Sequence, residues 1–79
     1  MKSQLFKDFG IPLAECEIEP ALDPRGVPRL WFRSVGNPLV GLDLTGASQL
    51  RQMFAHAGDA DNANEIDRHI AKARLLTAA

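Results

Sequence analysis

The chain has 79 residues, of which 46% are apolar and 24% charged, and its 10 acidic and 9 basic residues give a formal net charge of −1. A chain of this length has room for one small core, and this composition is that of a globular protein and not of a disordered one. The near balance of charge leaves no field of one sign to attract nucleic acid or an anionic membrane. We therefore predict a single domain over residues 1–79.

The cysteine content and the hydropathy pattern predict a cytoplasmic protein. Cys16 has no second cysteine with which to form an internal disulfide, whereas small secreted domains usually depend on several. Charged residues interrupt the N-terminal apolar residues where a signal peptide needs an unbroken run, and no later segment approaches membrane-spanning length.

The N-terminal segment, residues 1–12, leaves two structures open. Leu5, Phe6 and Phe9 fit one turn of helix, and they also fit a strand that ends at Gly10. From residue 13 the pattern is clearer, because glutamates alternate with smaller or apolar residues as in a strand with one wet and one buried face. This predicts a first strand over residues 13–19, with these alternating sets: Glu15, Glu17 and Glu19 against Ala14, Cys16 and Ile18.

A turn and a second strand follow. The sequence Asp23-Pro24-Arg25-Gly26 has turn-forming residues at successive positions. Residues 29–35 are rich in strand-favouring residues, and they divide into two faces, Leu30 and Phe32 against Arg29, Trp31 and Arg33.

A turn centred near Pro24 would fix the register between these two strands. Glu19 would then lie opposite Arg29 and Glu17 opposite Trp31, while Glu15 would face Arg33. This register brings unlike charges together and puts the apolar rows on the other side of the sheet.

The second half of the chain predicts one more strand and two helices. Gly36-Asn37-Pro38 is a turn signal, and alternation predicts a third strand over residues 39–44. Thr45 is the expected N-cap of a helix over residues 46–57 that Gly58 closes, and Asp59 or Asp61 caps a second helix over residues 61–76. The predicted fold class is α+β: a three-stranded antiparallel β-meander followed by a C-terminal antiparallel helical hairpin packed on one face.

No residue pattern predicts a metal, cofactor or catalytic site. His56, His69 and Cys16 lack the spacing of a zinc site, and we interpret His56 as a cation at a helix end and His69 as an exposed partner of Glu65. The segment that starts at Asp59 resembles a calcium loop but has Asn64 where glycine is needed. No motif predicts a nucleophile or a phosphate-binding loop, so we expect no enzyme.

A helix-turn-helix function is disfavoured by charge. Asp59, Asp61 and Glu65 lie at the start of the second helix, which in that motif would face the phosphates of DNA.

The leading functional hypothesis is a non-catalytic protein–protein interaction module or homodimer. Arg29, Trp31 and Arg33 would share an exposed sheet face, and Trp and Arg are enriched at interface hot spots. The unpaired edges of a small sheet offer an alternative surface. Two structural roles for Trp31 stay open, stacking with the arginines or coverage by Leu5, Phe6 and Phe9. The alternative functions are a regulatory or nucleic-acid-associated protein, and a ligand-binding or catalytic subunit of a larger complex.

Overall fold

The computed structural model describes residues 4–6, 11–12 and 15–77, and in this part of the chain strands precede two helices. β1 and β2 form an antiparallel pair, and a separate antiparallel sheet has the order β3-β4-β5. Both helices pack on this sheet and on each other. The predicted α+β class, a three-stranded meander followed by a helical hairpin, is confirmed. The elements are β1 (Gln4–Phe6), β2 (Ile11–Pro12), β3 (Glu17–Leu22), β4 (Pro28–Arg33), β5 (Val40–Asp43), α1 (Leu44–His56) and α2 (Ala60–Leu75).

For residues 1–12, where the sequence left helix and strand open, the described residues 4–6 and 11–12 are in strands. The proposed strand end at Gly10 lies outside the described residues, as do residues 13 and 14 of the predicted first strand.

The turn between β3 and β4 forms where the sequence predicts it. The Asp23 carbonyl accepts a hydrogen bond from the Gly26 N–H at 2.9 Å, and the Asp23 N–H donates to the Val27 carbonyl at 2.9 Å. Gly26 has φ +82°, the left-handed conformation that this three-residue hairpin loop requires and that glycine adopts without strain. The Asp23 carboxylate also accepts hydrogen bonds from the Arg25 and Val27 N–H groups at 2.8 and 2.9 Å.

The predicted register between the first two strands is wrong by two residues. Glu17 lies opposite Arg33, Glu19 opposite Trp31, and Ala21 opposite Arg29. The prediction ended the first strand at residue 19 because Pro20 follows, but β3 continues through Pro20 to Leu22.

Pro20 is tolerated because its backbone nitrogen points away from β4. The backbone hydrogen bond between Asp23 and Val27 fixes which residues of β3 bond to β4. The backbone N–H and C=O groups of odd-numbered residues face β4, and those of even-numbered residues face the edge of β3 away from β4. At the edge, proline removes no hydrogen bond from the ladder. A shift of two residues keeps every side chain on its predicted face.

The start of α1 differs from the prediction, whereas one of the two caps predicted for α2 is confirmed. Asp43 caps α1, accepting the Gly46 N–H at 2.8 Å, so the helix starts at Leu44 and Thr45 lies inside it. Asp59 caps α2 by accepting the Asn62 N–H at 3.2 Å. Gly58, at φ +77°, follows α1 as expected.

The core lies between the inner face of the sheet and the two helices. β4 supplies Leu30 and Phe32, which are 0% and 2% exposed, because they alternate with the residues of the outer face. The predicted helical stripes supply the rest of the buried cluster: Ala47, Leu50, Phe54, Ala63, Ile66, Ile70 and Ala73. Val35 is fully exposed beyond the end of β4, so the second strand is shorter than predicted. Neither described helix is long and apolar enough to cross a membrane.

Candidate functional site

The outer face of the three-stranded sheet brings the predicted interaction residues together. We call it the Trp31 face and define it by five residues, Glu17 and Glu19 of β3 and Arg29, Trp31 and Arg33 of β4. The helices cover the opposite face, where Leu30 and Phe32 are buried. The alternation of residues along β3 and β4 therefore positions all five side chains on the side of the sheet away from the helices.

The indole of Trp31 lies across the sheet and is held at both ends. Its Nε1 donates a hydrogen bond to the Ala21 carbonyl of β3 at 3.2 Å. Its six-membered ring lies over Gly41 of β5, where an added Cβ would be 2.5 Å from Cζ3. Trp31 and Gly41 are also cross-strand partners. Half-buried, the ring keeps part of its surface accessible in one fixed position.

Arg29 is engaged within the domain. Its Nε donates to Asp23 Oδ2 at 2.8 Å, and its Nη1 donates to the Gly41 carbonyl at 3.1 Å. Arg29 thus ties the hairpin loop to β5. The Arg29 guanidinium, followed by the Val27 N–H, holds the pKa of the Asp23 carboxyl below its ordinary value of 3.8. Of the predicted interaction residues, Arg29 has a structural role.

Replacing Asp23 with Asn is expected to lower the free energy of unfolding at neutral pH. The difference from wild type is expected to become smaller in acid. A carboxyl with a lowered pKa in the folded state contributes stability above its unfolded pKa of about 4, and this contribution is lost as the pH falls through the folded pKa. Urea unfolding between about pH 7 and pH 2.5 measures this. A loss of stability that stays constant over the whole pH range would contradict the role given to the Asp23 carboxylate. Asp61→Asn, at an exposed acid of α2, serves as control.

Within the part of the chain that the structure describes, Arg33 and the two glutamates make no such contacts. Among the described residues, none of Glu17, Glu19 and Arg33 is in an ion pair, although Glu17 and Arg33 are cross-strand neighbours. The three line a depression of about 270 Å³ together with Trp31, Ile18 and Leu39. A pit of this size accommodates one or two side chains, and both apolar and charged residues line it.

A second depression lies on the other side of β3, and sequence reasoning missed it. We call it the α2 cleft, an open space of about 590 Å³ between the start of β3 and α2, lined by Cys16, Glu17, Ile18, Asp61, Asn62, Glu65 and His69. One feature of the sequence could have indicated this cleft. His69 lies three residues after Ile66 and four before Ala73, which puts it on the apolar side of the helix.

His69 is more buried than we predicted. Its Nε2 lies 3.0 Å from Glu65 Oε1, as expected for that pair, but its side chain is only 14% exposed. Nδ1 is buried with no hydrogen-bond partner among the described residues. A neutral ring that donates from Nε2 leaves a lone pair at Nδ1, whereas protonation would bury an unsatisfied N–H.

Burial lowers the pKa of His69 from its ordinary value of 6.5, and the positive charges of Lys72 and Arg68 lower it further. The Glu65 carboxylate beside Nε2 is also paired with Arg68. The wild-type protein is therefore expected to lose stability as the pH falls below about 6.5, where the unfolded chain takes up the proton first. His69→Gln is expected to remove this loss, and His56→Gln, at an exposed position of α1, to keep it. Melting temperatures between about pH 8 and pH 5 test this, and identical pH profiles for wild type and His69→Gln would refute it.

Cys16 is the one thiol of the chain, and it lines the α2 cleft. Burial, and then the charge of Glu15, raises the pKa of the Cys16 thiol, while a hydrogen bond to Ser34 lowers it. A thiol with a raised pKa is a poor nucleophile at neutral pH. Among the described residues, no three His, Cys, Asp or Glu side chains lie close enough together to hold a metal ion. What the site offers is a fixed aromatic surface beside charged groups.

The fold and these surfaces define a small α+β domain. Comparison with known proteins identifies no relative of it. No family model matches the sequence, and no curated protein or solved structure is significantly similar to it.

Proposed function

We propose that the chain is a non-catalytic protein-interaction module that uses the Trp31 face to bind another protein or a second copy of itself. The observation that carries this proposal is the held, half-exposed indole of Trp31 beside a depression whose charged residues have no ion-pair partner among the described residues. A preordered aromatic ring loses little conformational entropy on binding, and such residues supply much of the affinity at protein interfaces. The single cysteine is compatible with our placement of the protein in the cytoplasm.

The edges of the sheet do not suit a long partner strand. On β3, Pro20 points to the open edge and removes a donor that an added strand would need. β5 has only four residues and passes directly into α1. A long partner strand therefore has no complete edge to pair with among β3, β4 and β5.

One alternative has support from a specific observation. The α2 cleft collects polar groups around His69, which favours a ligand-binding subunit of a larger complex as the second candidate. A small molecule that raises the melting temperature in wild type but not in His69→Gln would favour that candidate.

Trp31→Ala is expected to lower partner binding or self-association by more than tenfold, because truncation of a central aromatic anchor costs about 2 kcal/mol or more. Light scattering over a range of concentration measures self-association, and retention of purified partner on immobilised protein measures binding. Val35→Ala, at a fully exposed apolar residue outside the face, is the matched control. A folded Trp31→Ala protein with the molar mass and binding of wild type would refute the proposal.

A further inference from the structure

The two depressions meet at the start of β3. Glu17 and Ile18 line both of them, one on the outer face of the sheet and the other beside α2. Between the depressions runs the open edge of β3, whose neighbour in the described sheet is β4 alone. A segment that lies along this edge would reach both depressions at once.

The backbone at this edge can pair with a short extended segment. The ladder phase set at Asp23 and Val27 turns the N–H and C=O groups of Ile18 away from β4. Two residues later Pro20 has no N–H, so pairing there is incomplete. An added strand also sends alternate side chains to opposite faces, which would place one in the depression of the Trp31 face and the next in the α2 cleft.

The charges around this edge select the kind of segment. Among the described residues, the carboxylates of Glu17, Glu19 and Asp61 are in no ion pair, and Arg33 is the only cation that lines either depression apart from the ionisable His69. The Glu65 carboxylate is already shared by Arg68 and His69. The local excess is therefore negative, although the whole chain is nearly neutral.

We propose that the edge of β3 at Ile18 binds a short, extended, basic segment of a partner protein, with its Lys or Arg side chains placed alternately in the two depressions. This rests on the proposed interaction function and names the chemistry of its partner. The aliphatic stems of these side chains pack on Ile18, Trp31 and Leu39, and their charged ends reach the carboxylates. Exposed ion pairs are individually weak, so the complex is transient and sensitive to salt.

The test is a titration of the full chain with a blocked hexa-arginine peptide, followed by the fluorescence of Trp31 and by calorimetry. The expected result is saturable binding that weakens at least tenfold between about 50 mM and 500 mM salt, because ionic strength screens exposed charges. Glu17→Gln is expected to weaken binding about fivefold, the upper range for one exposed ion pair. Asp67→Asn removes the same charge from the α1-facing side of α2, where Asp67 pairs with Arg51, and is expected to change binding less than twofold.

Three probes separate the alternatives. A blocked hexaglutamate peptide that binds as well as hexa-arginine would overturn the charge assignment, and spermine binding equally well would overturn the pairing with a peptide backbone. Oligothymidylate binding would replace the protein partner with nucleic acid. Absence of hexa-arginine binding, with partner binding or self-association that still depends on Trp31, would overturn this inference alone. Absence of both would overturn the proposed function as well.

Discussion

Replacing Phe32 with Ala is expected to destabilise the domain by about 3–5 kcal/mol, the range for loss of a buried phenylalanine. Phe32 is 2% exposed and lies on the central strand, between Ile18 of β3 and Val40 of β5 and under the helices. Neighbours on three sides belong to regular elements, so the space left by the ring is expected to stay as a cavity. At roughly 0.05–0.15 kcal/mol per residue, the whole domain has about 4–12 kcal/mol, so the substitution would remove about a quarter of the total stability or more.

Urea unfolding followed by circular dichroism measures this loss. Met53→Ala is the matched control, because Met53 is 56% exposed on α1 beside the buried Phe54. Its cost is expected to be below about 0.5 kcal/mol. A Phe32→Ala protein with a midpoint close to that of Met53→Ala would show that the core is assigned incorrectly.

The second large effect is expected at Gly41, where even a methyl group conflicts with Trp31. An added Cβ would lie 2.5, 2.7 and 2.9 Å from three atoms of the indole ring, all far inside van der Waals contact. Gly41→Ala is therefore expected to displace the ring and to break its hydrogen bond to the Ala21 carbonyl. The cost is about 1–3 kcal/mol, as for other overpacked sites, and the fluorescence of Trp31 is expected to shift to the red as its exposure increases.

A double-mutant cycle separates this clash from a general effect of the substitution. Once Trp31 has been replaced with Ala, the ring that opposes a side chain at Gly41 is gone, and Gly41→Ala is expected to cost little. The coupling between the two positions would then be about 1 kcal/mol or more. Additive effects of the two substitutions would mean that the ring does not lie over Gly41.

The sequence predicted the faces of the sheet better than it predicted the pairing of the strands. Side chains alternate with period two, so Leu30, Phe32 and Trp31 keep their faces when the register moves by two residues. The predicted register relied on exposed Glu–Arg pairs, each worth about 0.2–1 kcal/mol. The hairpin loop outweighs them, since Asp23 makes two backbone hydrogen bonds and its carboxylate accepts three more.

The helix caps and the α2 cleft show two different reasons why a prediction from the sequence fails. Asp43 was available as a better N-cap than Thr45, so the start of α1 could have been predicted from local preference. The burial of His69 could not, because it depends on how closely α2 approaches the start of β3. Periodicity placed His69 near the apolar stripe, but the depth of that position follows from tertiary packing.

The order of the elements has a kinetic consequence. Within each described sheet, strands pair with the strands next to them in sequence, and the two helices that pack together are also consecutive. Closing a short loop loses little chain entropy, so most of these contacts can form without a search over long stretches of chain. Domains rich in contacts between neighbouring elements fold faster than domains dominated by pairing over long stretches of chain. The β3–β4 hairpin, whose loop carries its own hydrogen bonds, is well suited to form early in that process.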